Sequence, residues 1–343
     1  MTVPAELPMV AVISLGGTIA STNDPQSSGG GVTPRLGASE LAAAIPELSA
    51  VARLETVSFR QTASGDLTFT DLIELATEIK ERFENGYAGV VVTQGTDTIE
   101  ETSFALDLLV ESTHPVVVTG AMRNPTLVGP DGPANLLAAV QVAASPYAEG
   151  IGCAVVLNDE IHAARFVLKT NTSSPSTFRS MVAGPLGWVA EGKPQIAFRH
   201  AELPHFTALS GRAVPAVALL KVTLGDDERL IGSLESLGYA GLVVEGFGGG
   251  HVPSHMAPAL GRLAERIPVV LASRTGSGSV LRKTYGFQGS EQDLLARSLI
   301  PAGFLDGLKA RVLMSLLLAD GADSDGVRNG FERVDATTTW VRS

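Results

Sequence analysis

The sequence predicts an α/β protein with a larger N-terminal domain, a mostly parallel sheet with flanking helices, and a smaller C-terminal α/β domain. Three observations carry that expectation. Short apolar runs of strand length alternate with segments of helical spacing, the pattern of parallel strands joined by right-handed crossovers. The chain of 343 residues exceeds the usual single domain, and its 45% hydrophobic content can fill two cores. Between Val189 and Arg212 the apolar periodicity fades into Glu191-Gly192-Lys193-Pro194 and Ala201-Glu202-Leu203-Pro204, a linker composition. Domains over 1–195 and 213–343, joined by a linker over 196–212, are therefore expected.

Val10 to Leu15 is a continuous apolar run ended by Gly16-Gly17-Thr18, so it reads as a buried strand with a hydroxyl at its carboxyl end. Ser21 to Pro34 is too polar and glycine-rich to bury surface of its own, and it reads equally as a surface linker or as a mobile lid. Ser39 to Ile45 predicts a short alanine-rich helix capped by Ser39. Leu54 to Phe59 alternates like a strand, Gln61 to Asp66 forms a polar turn, and a helix with an acidic first turn follows over Asp71 to Phe83. Val90 to Thr93 reads as the next buried strand; Gly95 breaks it, and Thr98 to Leu109 carries helical spacing. Pro115 to Thr119 is a fourth strand, followed by Gly120-Ala121-Met122-Arg123 and a helix from Ala134 to Ala144, and Val155 to Leu157 is a fifth. Beyond the linker, Val214 to Val222, Gly241 to Val244 and Val269 to Ala272 read as strands, with helices near Met256 to Arg266 and Phe304 to Ala319.

Open α/β sheets bind ligands beyond the carboxyl ends of their strands, so Thr18, Ser64, Thr96 and Ala121 are expected to converge on one crevice. In the turn, Thr96 and Asp97 set a hydroxyl beside a carboxylate at a helix mouth. Capping that helix is the commoner task of such residues; the recurrence of hydroxyls at several strand ends is what favours a site. Lys169 would by default be a surface residue. Brought beside Thr96 and Asp97, a lysine of lowered pKa could take a hydroxyl proton.

The loop Gly246 to His251 lacks both the dinucleotide fingerprint and the Lys-Ser/Thr of a phosphate-binding loop. His251 and His255 have metal-pair spacing, but Pro253 lies between them and no third ligand is apparent. Neither a metal nor a cofactor is expected. Twenty-five basic against 36 acidic residues leave a net charge of −11, which argues against nucleic acid as a partner. The single cysteine, Cys153, excludes an intramolecular disulfide and lies in a strand-like run where core packing is its expected role. Met9 to Ala20 is apolar, but no Lys or Arg precedes Arg35, and no stretch reaches the roughly 18 to 20 apolar residues of a membrane helix. A cytoplasmic enzyme without membrane attachment is the expectation.

Ser14-Leu15-Gly16-Gly17-Thr18-Ile19-Ala20 and Thr93-Gln94-Gly95-Thr96-Asp97-Thr98-Ile99-Glu100-Glu101-Thr102 resemble the two signature motifs of the bacterial-type L-asparaginases, in the family's order. Pro115 to Arg123, Asp131-Gly132-Pro133, Lys169 to Thr172, Gly184-Pro185-Leu186-Gly187 and Lys309-Ala310-Arg311-Val312 extend the resemblance over nearly the whole chain. It implies an amidohydrolase in which a threonine attacks a side-chain amide, releases ammonia and is freed by water. Thr18 matches the family's first catalytic threonine, and Thr96, Asp97 and Lys169 match its second hydroxyl, carboxylate and lysine. Ser64, with Gly65 beside it, matches the segment that binds the substrate's α-carboxylate; Asp97 is expected to grip the α-ammonium, and Ala121 stands where the backbone faces the leaving amide. A homo-oligomer built as a dimer of intimate dimers is implied as well.

The sequence also departs from the family's pattern. Gly31 stands near the place of the loop tyrosine that activates the first threonine, and Tyr87, Tyr147, Tyr239 and Tyr285 belong to other segments. The loops corresponding to a partner-subunit Asn and Glu read Gly248-Gly249-Gly250 and Ser273 to Gly278, with no acid before Tyr285. Gln94 stands where many relatives carry His. L-Asparagine is the leading substrate; glutamine, D-asparagine or an N-substituted amide is the alternative, and a non-catalytic amino-acid-binding homologue is a third.

Overall fold

Residues 6–17, 19, 21–23, 32–34, 37–206 and 209–338 are described by the computed structural model. They fall into two units, Met1–His200 and Ala201–Ser343. The first unit contains strands β1 (Met9–Gly16), β2 (Ser21–Asn23), β3 (Val32–Pro34), β4 (Arg53–Thr62), β5 (Gly89–Thr93) and β6 (Val116–Thr119). It continues with β7 (Cys153–Leu157), β8 (Glu160–Ala163), β9 (Val167–Lys169), β10 (Phe178–Ser180), β11 (Gly187–Ala190) and β12 (Lys193–Ile196). Its helices are α1 (Ala38–Ala43), α2 (Phe69–Glu84), α3 (Ile99–Leu109) and α4 (Gly132–Ala143).

Its main sheet runs β12-β11-β8-β7-β6-β5-β1-β4. From β4 through β7 every neighbouring pair is parallel, whereas β8, β11 and β12 extend the sheet antiparallel. The pattern of burial explains why the central strands read as unbroken apolar runs. β5, β6 and β7 are buried along their whole length and β1 is buried after Met9, as strands covered on both faces must be. β4, at the sheet edge, has no buried residue.

The chain leaves β1 for its neighbour β4 and then returns across β1 to β5 on the other side. Strand order therefore reverses between β1 and β5, and a crevice opens at their carboxyl ends. The register pairs Ser14 with Thr93, so the two glycine turns leave the sheet at the same level.

Local chemistry moves several boundaries from their sequence positions. The cap of α1 is Gly37, not Ser39: the Glu40 carboxylate accepts the Gly37 N–H at 2.7 Å and starts the helix earlier. Thr68 caps α2 in a reciprocal pair with Asp71, and Arg60 reaches both Asp71 and Glu74, so the acidic first turn has cationic company. Glu191 and Gly192, part of the linker-like run, both have positive φ and form the tight turn between β11 and β12. Of Ser21 to Pro34, β2 and β3 form a short antiparallel pair, and residues 24–31, which hold most of the expected lid, lie outside the described residues.

Buried polar groups in this unit tie its layers together. Asp107 on α3 accepts the Cys153 N–H at 2.8 Å and pairs with Arg165 at 3.3 Å. Burial, with a contribution from the Asp107 charge, pushes the Cys153 thiol well up, so it behaves as a small core residue. His162 is buried, with Nδ1 3.0 Å from Ser180 Oγ; Glu160 approaches Nε2 to 3.2 Å without a hydrogen bond. Burial, and secondarily the Arg179 charge, hold the imidazole down at about 4, against 6.5 when exposed. Between those values the unfolded chain binds a proton that the folded chain refuses, so stability falls as pH falls through that window. We expect a loss of about 3 kcal/mol from this group on acidification. His162→Gln should flatten the pH dependence of the denaturation midpoint over that window; an unchanged slope would place the proton elsewhere.

In the second unit, β13 (Val217–Lys221), β14 (Gly241–Gly246), β15 (Val269–Ser273) and β16 (Ile300–Pro301) form a parallel sheet in chain order. Helices α5 (Ala257–Ala264), α6 (Glu291–Ala296), α7 (Gly307–Ala319) and α8 (Ser324–Ala336) accompany them. Each expected helix here starts later than its apolar pattern. Asp306 caps α7 by accepting the Lys309 N–H at 3.0 Å, which fixes its start after Phe304. The glycine-rich loop is a tight hairpin bridging Phe247 and His251. His251 Nε2 lies 3.1 Å from the buried Glu291 carboxylate and His255 Nε2 3.0 Å from the Asp226 carbonyl, so the two rings have separate partners. No group of three or more potential metal ligands occurs among the described residues. Among them, too, no helix is long and apolar enough to cross a membrane.

Candidate active site

The site is built where strand order reverses, and glycines let its turns approach. Gly17 has φ +85, and a Cβ there would lie 2.0 Å from the Gly95 nitrogen. A Cβ on Gly95 would lie 2.7 Å from Ser64 Oγ. Three turns, following β1, β4 and β5, therefore pack closely: the Gly17 turn lies on the Gly95 backbone, where no side chain fits, and Gly95 lies against the Ser64 side chain. The Ser64–Asp66 turn buries Ser64 and leaves Gly65 exposed with open space about its α-carbon.

After Gly95, residues Thr96–Thr98 make one 3-10 turn leading into α3. The residue at the cap position of α3 is Thr98, and it makes no side-chain cap bond. The capping role considered for Thr96 and Asp97 is thus not the one these side chains take. Instead Lys169 Nζ donates to Thr96 Oγ1 at 2.9 Å and to Asp97 Oδ1 at 2.5 Å. Thr96 is buried, the Lys169 side chain is 15% exposed and the Asp97 side chain 79% exposed. The ammonium lies between a covered hydroxyl and a carboxylate that faces solvent. An ion pair with one member so exposed adds little to stability, so its value is positional.

Lys169 reaches this place through contacts that the sequence did not disclose. It ends β9, which pairs with β10, and Lys169 stands opposite Phe178. Its own N–H donates to Glu100 Oε2 at 3.3 Å, drawing β9 onto the first turn of α3. Thr177 then fixes the following loop, accepting the Asn171 N–H through its hydroxyl at 2.7 Å and donating to the Asn171 carbonyl at 2.6 Å. An acid in the first turn of a helix reads as a dipole partner, which is why Glu100 carried no distinguishing signal.

Ala121 is buried, and its turn is held by two residues near the start of α4. Asp131 accepts the Met122 N–H at 3.0 Å and the Arg123 N–H at 2.8 Å, while Asn135 donates to the Gly120 carbonyl at 2.9 Å. A Cβ on Gly120 would come within 3.2 Å of Thr96 Cγ2, so this turn borders the Lys169 cluster. Ser64, Thr96, Asp97, Lys169 and Ala121 are thereby carried on neighbouring turns. Thr18 lies outside the described residues; its chain neighbours Gly17 and Ile19 are both buried.

Comparison with known proteins points the same way. Residues 9–202 match the model of the asparaginase N-terminal domain, and residues 216–331 that of the glutaminase/asparaginase C-terminal domain. The chain is 38% identical over 331 residues to a probable L-asparaginase of Deinococcus radiodurans, covering 96% of this chain and 98% of that one. It is 35% identical to an L-asparaginase of Bacillus licheniformis, covering 94% and 98% of the two chains. Among solved structures, a probable cytoplasmic L-asparaginase from Campylobacter jejuni superimposes with a TM-score of 0.84 at 29% identity, over 95% of this chain and 99% of that one.

Proposed function

The chain belongs to the asparaginase family and is an amidohydrolase acting on a linear amide, and from that premise we propose that it converts L-asparagine to aspartate and ammonia through a threonine nucleophile. The observation that carries the reading is the contact of Lys169 Nζ with both Thr96 Oγ1 and Asp97 Oδ1 at the reversal point of the sheet. A hydroxyl oxygen adds to the side-chain amide carbon, the carbon–nitrogen bond breaks, and ammonia leaves with the hydroxyl proton. Water then adds to the resulting ester, the carbon–oxygen bond to threonine breaks, and the hydroxyl is restored. Thr18 is the proposed attacking residue; Thr96, Asp97 and Lys169 manage protons and charge.

Substrate binding follows from the same turns. The exposed Asp97 carboxylate suits an α-ammonium, Ser64 and Gly65 suit the α-carboxylate, and the Ala121 turn faces the amide. No step here calls for a metal or cofactor. A homo-oligomer of paired intimate dimers in the cytoplasm, with a domain boundary over 196–212, completes the reading.

Ammonia release by the purified protein across L-asparagine, L-glutamine, D-asparagine and N-substituted asparagines tests it. We expect L-asparagine to give the highest kcat/KM. The absence of an acid in Gly248-Gly249-Gly250 and Ser273 to Gly278 favours one alternative, an amidase of shifted preference, and a higher kcat/KM for another amide would establish it. Binding of aspartate without turnover of any amide would reduce the protein to an amino-acid-binding homologue.

A further inference from the structure

Between Ser64 and the Thr96–Asp97 turn lies a hydrogen-bond relay that the chemistry above does not use. We propose that Thr98, oriented by Gln94, is a positioning residue that sets the carboxylate-binding turn at Ser64 relative to the Lys169 cluster, and so fixes affinity for amides bearing an α-carboxylate. The inference rests on the proposed amidohydrolase reading.

Thr98 occupies the cap position of α3, where a threonine hydroxyl ordinarily accepts a helix N–H, yet it makes no such bond. Its hydroxyl instead donates to the Ser64 carbonyl at 3.0 Å, across 34 residues of chain. The same oxygen accepts from Gln94 Nε2 at 3.3 Å, and Gln94 Nε2 also donates to the Gly95 carbonyl at 3.2 Å. The Gln94 side-chain NH2 thus faces Thr98 and Gly95, and its Oε1 is buried with no hydrogen-bond partner among the described residues. Turned over, its oxygen would oppose the Gly95 carbonyl oxygen, so only the donor orientation is favourable. The relay then has one direction: amide N–H to hydroxyl, hydroxyl to carbonyl.

Gln94 is itself held in the sheet. It is fully buried, and its backbone N–H donates to the Thr119 carbonyl at 3.1 Å. The relay thus starts from the centre of the sheet and ends on the turn after β4, an edge strand that has no buried residue of its own. Ser64 Oγ lies against Gly95, where no hydrogen bond among the described residues holds it, so a turn released from Thr98 can shift off that contact and carry its hydroxyl away from the position that Thr96 and Asp97 require. A ligand without an α-carboxylate does not use Ser64 and is indifferent to that pivot.

Thr98→Val removes the hydroxyl at nearly constant volume, and Thr98→Ser restores it. Isothermal titration with L-aspartate and with β-alanine, which is aspartate without its α-carboxylate, reads the effect independently of turnover. We expect Thr98→Val to weaken aspartate binding about tenfold, the scale of one lost hydrogen bond to a charged group. β-Alanine affinity should stay at the wild-type value, and Thr98→Ser should recover most of the loss. Kinetics should repeat the split: KM for asparagine rises about tenfold, while kcat/KM for 3-aminopropanamide is unchanged. Equal weakening of both ligands, or unchanged aspartate affinity in Thr98→Val, overturns the relay. A wild-type protein that releases no ammonia but binds aspartate in a Thr98-dependent way overturns the catalytic reading and leaves the relay standing.

Discussion

Lys169→Ala is expected to lower kcat for ammonia release at least about a hundredfold, the scale of removed acid–base assistance, while leaving the thermal midpoint close to that of the parent protein. The two halves of that expectation come from different features. Loss of activity follows because Nζ is the group within reach of both the Thr96 hydroxyl, at 2.9 Å, and the Asp97 carboxylate, at 2.5 Å. Without it Thr96 loses the group that donates to its hydroxyl, and Asp97 has no cation to balance it when an α-ammonium is absent. Retention of stability follows because the charged partner left behind, Asp97, is 79% exposed and is taken up by water. A lysine whose removal strands a buried carboxylate would behave differently, losing several kcal/mol of stability. Steady-state ammonia release together with differential scanning fluorimetry checks both halves. A fall in midpoint matching the fall in activity would make Lys169 a structural residue, and a near-normal rate would remove it from the chemistry.

The kind of element legible in the sequence differs systematically from the kind that was not. β1 and β5 were readable because both faces of these strands are covered, so their residues must be apolar without interruption. Their turns were readable because the stacking of Gly17 on the Gly95 backbone tolerates only glycine and Gly95 is crowded by Ser64, which leaves a mark in the sequence. The resemblance to asparaginases was legible for the same reason, since its two motifs are these turns. β11 and β12 were hidden because a tight hairpin and an interdomain linker use the same residues, here Glu191-Gly192-Lys193-Pro194.

Within the site, what stayed hidden was the means of holding residues rather than the residues. Glu100 orients Lys169 through a main-chain N–H, and Asp131 and Asn135 hold the Ala121 turn through main-chain groups. Such bonds place no demand on the identity of the residue that donates or accepts from the backbone. The pattern of the recipient segment therefore carries no trace of its partner, and contacts spanning 69 residues, as from Glu100 to Lys169, have no local period to betray them.

Thr18→Ala is expected to abolish turnover and leave the fold intact, the largest effect foreseen at any single position. Thr18 shares with Thr96 a Gly-Thr pair. Each hydroxyl follows a glycine at the carboxyl end of a central parallel strand, and Gly17 lies against Gly95 across the reversal point. The two threonines are not equivalent, however. Thr96 already has the Lys169 ammonium on its oxygen, which suits a group that passes protons and is poorly suited to one that must present a free lone pair to an amide carbon. The proposed function accordingly gives the attack to Thr18 and proton management to the Thr96–Lys169–Asp97 cluster. Single-turnover mixing with L-asparagine, quenched and analysed by peptide mass spectrometry, should find the acyl ester on the peptide containing Thr18 and no adduct in the Thr18→Ala variant. Thr96→Ala should slow formation of that ester about a hundredfold or more without moving it to another residue. An ester on Thr96, or a Thr18→Ala variant turning over at a near-normal rate, would reverse the assignment and leave the attack to a hydroxyl that Lys169 must first deprotonate.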